Sequence, residues 1–497
     1  MSAGVVAALM LLAAPAASQA RSSSDCTLTG SGQEGATDLA FYHQPGPVLK
    51  ASMIFVDFPD HHAAGAESPP QTTIGPDLTN WATAYFNEAS YGRTQLDVKM
   101  DDAWLRMSKN ASQYDPHTFE GQRAYIQEAV ALADASGFDF SGRQTVYVVG
   151  AESGGALPNS PAFSAPSDRA INVDGTAIRW GSTLGDDAHD STDDYGSHIL
   201  AHETGHTFGL PDLYRYGAPD FASTHPDVGS WDLMGWIGPG LHLSAWHKRK
   251  IGWLEPSEWL CVHGEQTAHI APLSVAGGTK MMVAQTSPST AIVAEVRGPL
   301  GFDAEMCDTG GVLIYEVDAN GGTGAGNGVP PIRVLPAAPS PSPGYCAALT
   351  KAPYGVEPGQ VSTFSQGAVS VQVLSGSPTT GYEVRMTGPE LPAGTVGLEP
   401  KLKLKGTRSA RASLSCPVDT SGCEGELALA LSRKTKLGKA AFDLPAGADE
   451  DLTIKIKGKG RRALKKALAQ KPKAKATATL TGPEGSEKIG VKLVSGP

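Results

Sequence analysis

The sequence lacks three features, and each absence excludes a class of protein. Its six cysteines include no CxxC pair, so a zinc site built from cysteines is not expected. After the first twenty residues no apolar run is long enough to cross a membrane. The first 400 residues have 19 Lys and Arg against 42 Asp and Glu, a net charge of -23. Such an acidic body argues against nucleic acid as the main partner, because phosphate binding needs clustered positive charge.

The two ends of the chain differ from this acidic body. Residues 1–20 contain an apolar run followed by small residues, which is typical of a secretory signal peptide and predicts a secreted protein. The alternative is an uncleaved anchor, although the run falls short of the ~20 residues that a membrane span needs. From residue 401 onward there are 21 Lys and Arg against 9 Asp and Glu, a net charge of +12. This basic end either associates with an anionic cell surface or simply forms a soluble surface.

An even number of cysteines in an exported chain favours disulfide bonds. We predict a bond between Cys416 and Cys423, which are close in sequence. A bond between Cys307 and Cys346 would tie the ends of residues 319–345. That segment is rich in Gly, Pro and Ser and is predicted to be a long exposed loop.

Patterns of strands and helices alternate in the first half of the chain. Apolar runs at residues 50–58 and 144–149 predict buried strands. Helical spacing of apolar residues appears at 77–88 and 118–136. Together these patterns predict a mixed α/β layer.

Shorter alternating runs follow Trp253. Residues 280–284 and 311–318 predict strands, and residues 426–431 and 452–456 predict strands of a small C-terminal β-sandwich. We therefore divide the chain into a signal peptide (1–20), a catalytic domain (21–255), a β-rich domain with the Gly/Pro-rich loop (256–395) and a basic β-sandwich-like domain (396–497).

The segment with the strongest chemical signal is His202-Glu203-Thr204-Gly205-His206, an HExxH sequence. Residues four apart on a helix share one face and lie ~6 Å apart along its axis, so both histidines can bind one metal ion. Glu203 then stands beside the ion as a general base. The alternative is a helix with two unused histidines, but HExxH is expected by chance only about 0.02 times in such a chain.

A catalytic zinc site needs three protein ligands and one open position. His198 repeats the four-residue spacing but lies about 12 Å from His206 along the helix, too far to share one ion. Asp212 follows a turn that Gly209 permits, so its carboxylate can return to the ion. The alternative is that Asp212 caps a short following segment. We predict that zinc is bound by His202, His206 and Asp212.

Carboxylates are concentrated just before this helix, between Asp186 and Asp194. Asp193 or Asp194 is predicted to cap the helix N-terminus. The rest of the cluster is either a solvated acidic loop or a site for a structural calcium ion.

From His202 to Asp212 the sequence reads HExxHxxGxxD, and in this it resembles the immune inhibitor A family of secreted bacterial metallopeptidases, which are metzincin-like zincins. Further segments similar to that family are residues 56–60, 85–92, 229–235 and 243–248. The resemblance implies an α/β zincin catalytic domain with a mixed sheet and an active-site helix. It also implies that Met234 forms a Met-turn, which packs beneath the metal without binding it. Most metzincins have His where this chain has Asp212.

The sequence thus predicts a secreted zinc-dependent endopeptidase that acts on protein or peptide substrates, with Glu203 as general base. One alternative is a zinc hydrolase of a non-protein substrate, because the walls of the pocket choose the substrate. Another is a cell-surface adhesin or binding protein with a structural metal site. Glu203 argues against the adhesin, since a structural site closes its fourth position and needs no base. Tyr214 and Trp236 are predicted near the site, with packing favoured over a role in catalysis.

Overall fold

The computed structural model describes residues 26–65, 69–338, 349, 351–391, 393–417, 420–471, 473–483 and 485–495. The chain divides into two compact units, residues 1–262 with 266–386 and residues 263–265 with 387–497. The predicted signal peptide and Cys346 lie outside the described residues. The boundaries predicted at residues 255 and 395 remain predictions.

The first unit is mixed α/β, with several sheets and few helices. Its strands are β1 Val48–Asp57, β2 Gln95–Arg106, β3 Thr145–Gly150, β4 Ala162–Ser164, β5 Ile171–Val173, β6 Thr176–Ile178, β7 Trp180–Leu184, β8 Trp259–Cys261, β9 Gly264–Ile270, β10 Met281–Gln285, β11 Thr290–Arg297, β12 Gly311–Asp318, β13 Ile332–Val334, β14 Thr363–Gln366, β15 Val369–Ser377 and β16 Gly381–Gly388. Its α-helices are α1 Ile74–Ala89, α2 Phe119–Ser136, α3 Tyr195–Thr207, α4 Phe221–Thr224 and α5 Ala245–Lys250.

The first sheet has the order β2-β1-β3-β7-β4, with β4 antiparallel to β7 at one edge and the other pairs parallel. Side chains alternate between the two faces of a strand. On β1, Met53 and Phe55 share a core with α1 and α3, whereas Ile54 and Val56 share a core with α2. Helices therefore cover both faces, which explains why β1 reads as a continuous apolar run. The two predicted strands and two predicted helices of this region are confirmed.

Two further sheets follow, with the orders β13-β12-β11-β10-β8 and β14-β15-β16-β9. The strands predicted at 280–284 and 311–318 are confirmed as β10 and β12. The prediction of one long exposed loop over residues 319–345 is wrong in its described part. Strand β13 pairs with β12 there, and Ile332 and Val334 are buried. Apolar and polar residues alternate only briefly around Arg333, and the surrounding Gly and Pro residues obscured this strand pattern in the sequence.

The second unit is built on one sheet. Its strands are β17 Gly397–Leu398, β18 Lys401–Lys405, β19 Ser409–Ser415, β20 Cys423–Ser432, β21 Thr435–Leu444, β22 Asp449–Lys455, β23 Lys473–Gly482 and β24 Gly485–Ser495, and its helix is α6 Gly458–Gln470. All eight described strands join a single hydrogen-bonded sheet, whereas we predicted a sandwich. Helix α6 was not predicted, because its many charges obscured the apolar face that includes Leu464.

Two disulfide bonds are present among the described residues. Cys416–Cys423 confirms the predicted local pair. Cys26–Cys261 joins the start of the described chain to β8. No described helix is both long and apolar enough to span a membrane.

These two bonds should differ in their effect on stability. Their sequence separations are 235 and 7 residues, so the loop-entropy relation gives costs of about 5 and about 2 kcal/mol for removal. We expect the double variant Cys26→Ala/Cys261→Ala to lose more unfolding free energy in urea than Cys416→Ala/Cys423→Ala. An equal or greater loss for the short loop would contradict this.

Candidate metal centre

The HExxH segment lies on α3, which packs against α1. Ser197 joins the two helices, because its Oγ donates to the Leu78 carbonyl at 2.7 Å and accepts from the Ala82 amide at 2.9 Å. Helix α3 ends at Thr207, and Gly209 follows with φ 85°, as the Gly-permitted turn predicts. The predicted N-cap position is confirmed, but the side-chain capping hydrogen bond is not formed. Asp194 stands at the N-cap position, but its φ is 58° and its side chain accepts no capping hydrogen bond.

Three predicted ligands come together at this helix. His202 Nε2 lies 3.0 Å from Asp212 Oδ1, and His206 Nε2 lies 3.2 Å from the same oxygen. The ligand atoms of His202, Glu203 and His206 all lie within 4.8 Å of one another. Two ligands of one tetrahedral zinc ion are about 3.3 Å apart, because each bond is about 2 Å long. The spacing therefore fits a single bound metal ion.

The hydrogen bonds of the two imidazoles decide which atoms face the centre. His202 Nδ1 lies 2.9 Å from the Leu233 carbonyl oxygen, and His206 Nδ1 lies 2.8 Å from the Leu210 carbonyl oxygen. A carbonyl only accepts, so each Nδ1 carries the hydrogen and each Nε2 of a neutral imidazole presents a lone pair. Both Nε2 atoms face Oδ1 of Asp212. A metal ion bound between them would take all three atoms as ligands.

The charges of these side chains are strongly coupled. Burial lowers the pKa of His206, but the Asp212 carboxylate outweighs burial and raises that pKa to about 10. Burial raises the pKa of Asp212, but the two imidazoles outweigh it and hold that pKa well below its ordinary value. The Asp212 carboxylate thus stabilises positive charge on the buried His206 imidazole.

Asp212 is held by a distant segment that sequence reasoning missed. Its backbone amide donates to Thr323 Oγ1 at 3.0 Å, and its carbonyl accepts from the Gly324 amide at 3.1 Å. Tyr216 donates its hydroxyl to Asp212 Oδ2, which leaves Oδ1 facing the histidines. The phenol four residues after Asp212 was visible in the sequence, but the contact with Thr323 was not, because 111 residues separate them.

Met234 packs directly beneath α3. It is fully buried, and a Cβ added at Gly205 would lie 2.8 Å from its sulfur. Its backbone carbonyl accepts from the Leu213 amide at 2.8 Å, just after Asp212. The preceding residue, Leu233, supplies the carbonyl that orients His202. The backbone of the turn therefore contacts His202 and the residue that follows Asp212, and the turn lies beneath the candidate ligands as a supporting floor.

A buried charge cluster fixes this turn. Asp232 Oδ1 accepts from the Met234 amide at 2.9 Å, and Asp232 Oδ2 lies 2.8 Å from His247 Nδ1. His247 Nε2 lies 2.9 Å from Glu34 Oε1. Burial lowers the pKa of His247, but the two carboxylates outweigh burial and raise it to about 10. His247 is therefore a buried imidazolium between two carboxylates, and neither Glu34 nor this cluster was identified from the sequence.

The candidate ligands open onto a cleft of about 730 Å³. Glu203, Tyr214 and Trp236 line it, as do Asn159 to Ala162 at the start of edge strand β4. Burial raises the pKa of the Glu203 carboxyl to about 7, against the opposing effect of His206 and His202. The ring of Tyr214 lies 6.3 Å from that of His202, and its packing role remains a prediction.

The remaining predicted residues lie outside the ligand set. His198 is buried against Trp81, with ring centroids 4.1 Å apart, so it is a core residue. In the acidic loop, Asp186 accepts from the amides of Ser153 and Gly155, both at 2.6 Å, and Asp187 accepts from Ser160 Oγ. These two carboxylates hold neighbouring loops, and the calcium ion remains a prediction.

No family model matches the chain, and no curated protein matches it. Among solved structures, the chain is similar to catalytically inactive OgpA from Akkermansia muciniphila in complex with an O-glycopeptide (glycodrosocin) substrate. The two chains are 10% identical, the TM-score is 0.19, and the match covers 91% of this chain and 94% of that chain. A wild-type OgpA structure gives 10% identity, a TM-score of 0.20, and coverage of 92% and 95%. Similarity this weak carries no argument about fold or activity. The resemblance to the immune inhibitor A family therefore rests on the quoted residues alone.

The charge cluster predicts a specific pH dependence of stability. The pKa of His247 is raised from 6.5 to about 10, so its contribution is complete below about pH 6.5 and is lost as the pH rises towards 10. The pKa values of Glu34 and Asp232 are lowered, so their contributions are lost as the pH falls below 4.5 and 3.8 respectively. We expect His247→Gln to cost about 3–5 kcal/mol near pH 6.5, because it leaves buried carboxylates unpaired.

Urea unfolding of wild type and His247→Gln between pH 6.5 and 10 measures this effect. The difference in unfolding free energy should shrink steadily as the pH rises. The control is His269→Gln, which removes the exposed pair with Glu383 and should cost less than about 1 kcal/mol at every pH. A difference for His247→Gln that is constant over this range would show that His247 is neutral in the folded protein.

Proposed function

We propose that this chain is a secreted zinc-dependent endopeptidase, with His202, His206 and Asp212 as metal ligands and Glu203 as general base. The observation that carries the proposal is the convergence of two imidazole nitrogens and one carboxylate oxygen at separations of 3.0 and 3.2 Å. The signal-like start of the sequence and the two described disulfides support export. The similarity to immune inhibitor A metallopeptidases supports the same assignment.

The ligand set favours zinc with an open coordination position. Two imidazoles and one carboxylate are a common ligand set of catalytic zinc, and the fourth position is then left for water or substrate. A zinc ion bound there would supply a Lewis acid that lowers the pKa of water and polarises a carbonyl group. Because the three side chains border a cleft of about 730 Å³, a substrate has access to this position. This openness supports an enzyme over a protein with a structural metal site.

Glu203 is suited to move the proton. It follows His202 on α3 but is not needed as a ligand, since Asp212 completes the set of three. Its carboxylate lies in the same 4.8 Å cluster and lines the cleft. In the proposed reaction it accepts the proton of the attacking water and delivers it to the leaving nitrogen.

The edge strand beside the cleft supports a peptide substrate over other hydrolase substrates. Strand β4 pairs with β7 on one side, and no other described strand pairs with its outer edge. The residues leading into β4, Asn159 to Ala162, line the cleft. An extended peptide can add to such an edge through backbone hydrogen bonds, which recognise any sequence.

Digestion of denatured casein by the full-length chain tests the proposal, with metal content measured on each sample. We expect Glu203→Gln to retain zinc but to lose about 10²–10⁴-fold in rate, because only the proton transfer is removed. His202→Ala should lose both zinc and activity. The matched control is Glu399→Gln, an exposed carboxylate of the second unit, which should cleave at the wild-type rate.

Two results would contradict the proposal. Cleavage that persists after complete removal of metal would exclude the metal mechanism. A zinc-loaded wild type that cleaves neither casein nor a mixed peptide library would exclude the endopeptidase and favour a non-protein substrate.

A further inference from the structure

Three lysines form a row across neighbouring strands of the second unit. Lys401 on β18 is paired with Lys492 on β24, and Lys492 is paired with Lys475 on β23. All three side chains are exposed. Directly paired residues have Cβ atoms about 5 Å apart and point to the same face. The three ammonium groups are therefore carried side by side across the sheet.

A second set of basic residues lies one pair further along. Lys403 and Lys473 are both paired with Val494, one from each side. The residues between these lysines, such as Leu402 and Ala474, are buried, so the lysines occupy the opposite, outer face of the sheet. We call the five exposed residues Lys401, Lys403, Lys473, Lys475 and Lys492 the lysine face.

This arrangement is unfavourable for the protein alone. Like charges directly opposite each other destabilise a sheet. Within the described residues no carboxylate forms an ion pair with the lysine face. The nearest basic neighbour, Arg411, is paired in register with Lys403 and lies 3.5 Å from Asp451. An anionic ligand lying along the row would relieve the repulsion and gain several ion pairs together.

We propose that the lysine face binds an anionic polysaccharide. The only aromatic residue in residues 387–497 is Phe442, which is buried, so the unit lacks the stacking surface that nucleic acid bases use. Exposed large apolar side chains, which a membrane would accept, are found among the described residues only in the first unit. Thr477 and Thr479 continue the outer face of β23 and offer hydroxyl groups to sugar hydroxyls.

The basic helix α6 provides a built-in control. Its Leu464 joins the core formed by the inner face of the sheet, so α6 lies on the side opposite the lysine face. Its Lys459, Lys465 and Lys466 are exposed. Replacing three lysines at either place changes the net charge equally but only one place carries the proposed site.

Binding of the full-length chain to heparin is measured by titration at low and physiological salt, with neutral dextran as the uncharged reference. We expect Lys401→Gln/Lys475→Gln/Lys492→Gln to bind heparin about tenfold more weakly, and Lys459→Gln/Lys465→Gln/Lys466→Gln to change affinity less than about twofold. Binding should weaken as salt rises, because exposed charges are screened. The row variant should melt no lower than wild type, since it removes a repulsion.

Several outcomes overturn the proposal. Equal losses in the two triple variants would mean that heparin responds only to total charge. Unchanged binding by the row variant would place any heparin site elsewhere. Two other ligands are tested in the same way: vesicles containing phosphatidylglycerol and a single-stranded DNA oligomer. If the vesicles bind as tightly as heparin and bind the row variant more weakly, the partner is a membrane. If the DNA oligomer does so, the partner is a nucleic acid.

Discussion

The contact that the candidate site depends on joins two imidazole nitrogens, Nε2 of His202 and Nε2 of His206, to one carboxylate oxygen of Asp212. The helix brings His202 and His206 to one face, and the turn at Gly209 returns Asp212 to them. Carbonyl groups of Leu233 and Leu210 hold the Nδ1 hydrogens outward, so both Nε2 atoms face Asp212. The buried Asp212 carboxylate is unfavourable unless positive charge, on an imidazolium or on a bound cation, lies beside it.

Much of the surrounding structure holds these acceptors in place. The Leu233 carbonyl belongs to the turn that Asp232 closes, and Asp232 is held by a buried imidazolium at His247. Glu34 supplies the second carboxylate of that cluster. Fully buried ion pairs are costly to desolvate and contribute little net stability. Their role here is to fix the turn whose Leu233 carbonyl orients the His202 ring.

The sequence predicted those parts of the structure that local patterns determine. The apolar runs gave β1 and β3, and the HExxH spacing and Gly209 identified three residues that the structure brings together. Prediction from the sequence failed where the residue that makes the contact lies far away along the chain. Thr323 reaches Asp212 from a segment that composition described as a loop, and no local pattern links Glu34 to His247. The N-cap position of Asp194 was predicted, but its side-chain hydrogen bond is absent, and its positive φ does not follow from a preference for residue type.

X-ray absorption at the zinc K edge of the purified, zinc-loaded chain identifies the ligands of the metal directly. We expect one zinc ion per chain, with two imidazole nitrogens and a carboxylate oxygen at about 2 Å and no sulfur ligand. In His202→Ala this signature should disappear. A spectrum without imidazole scattering, or one unchanged in His202→Ala, would contradict the assignment of this site.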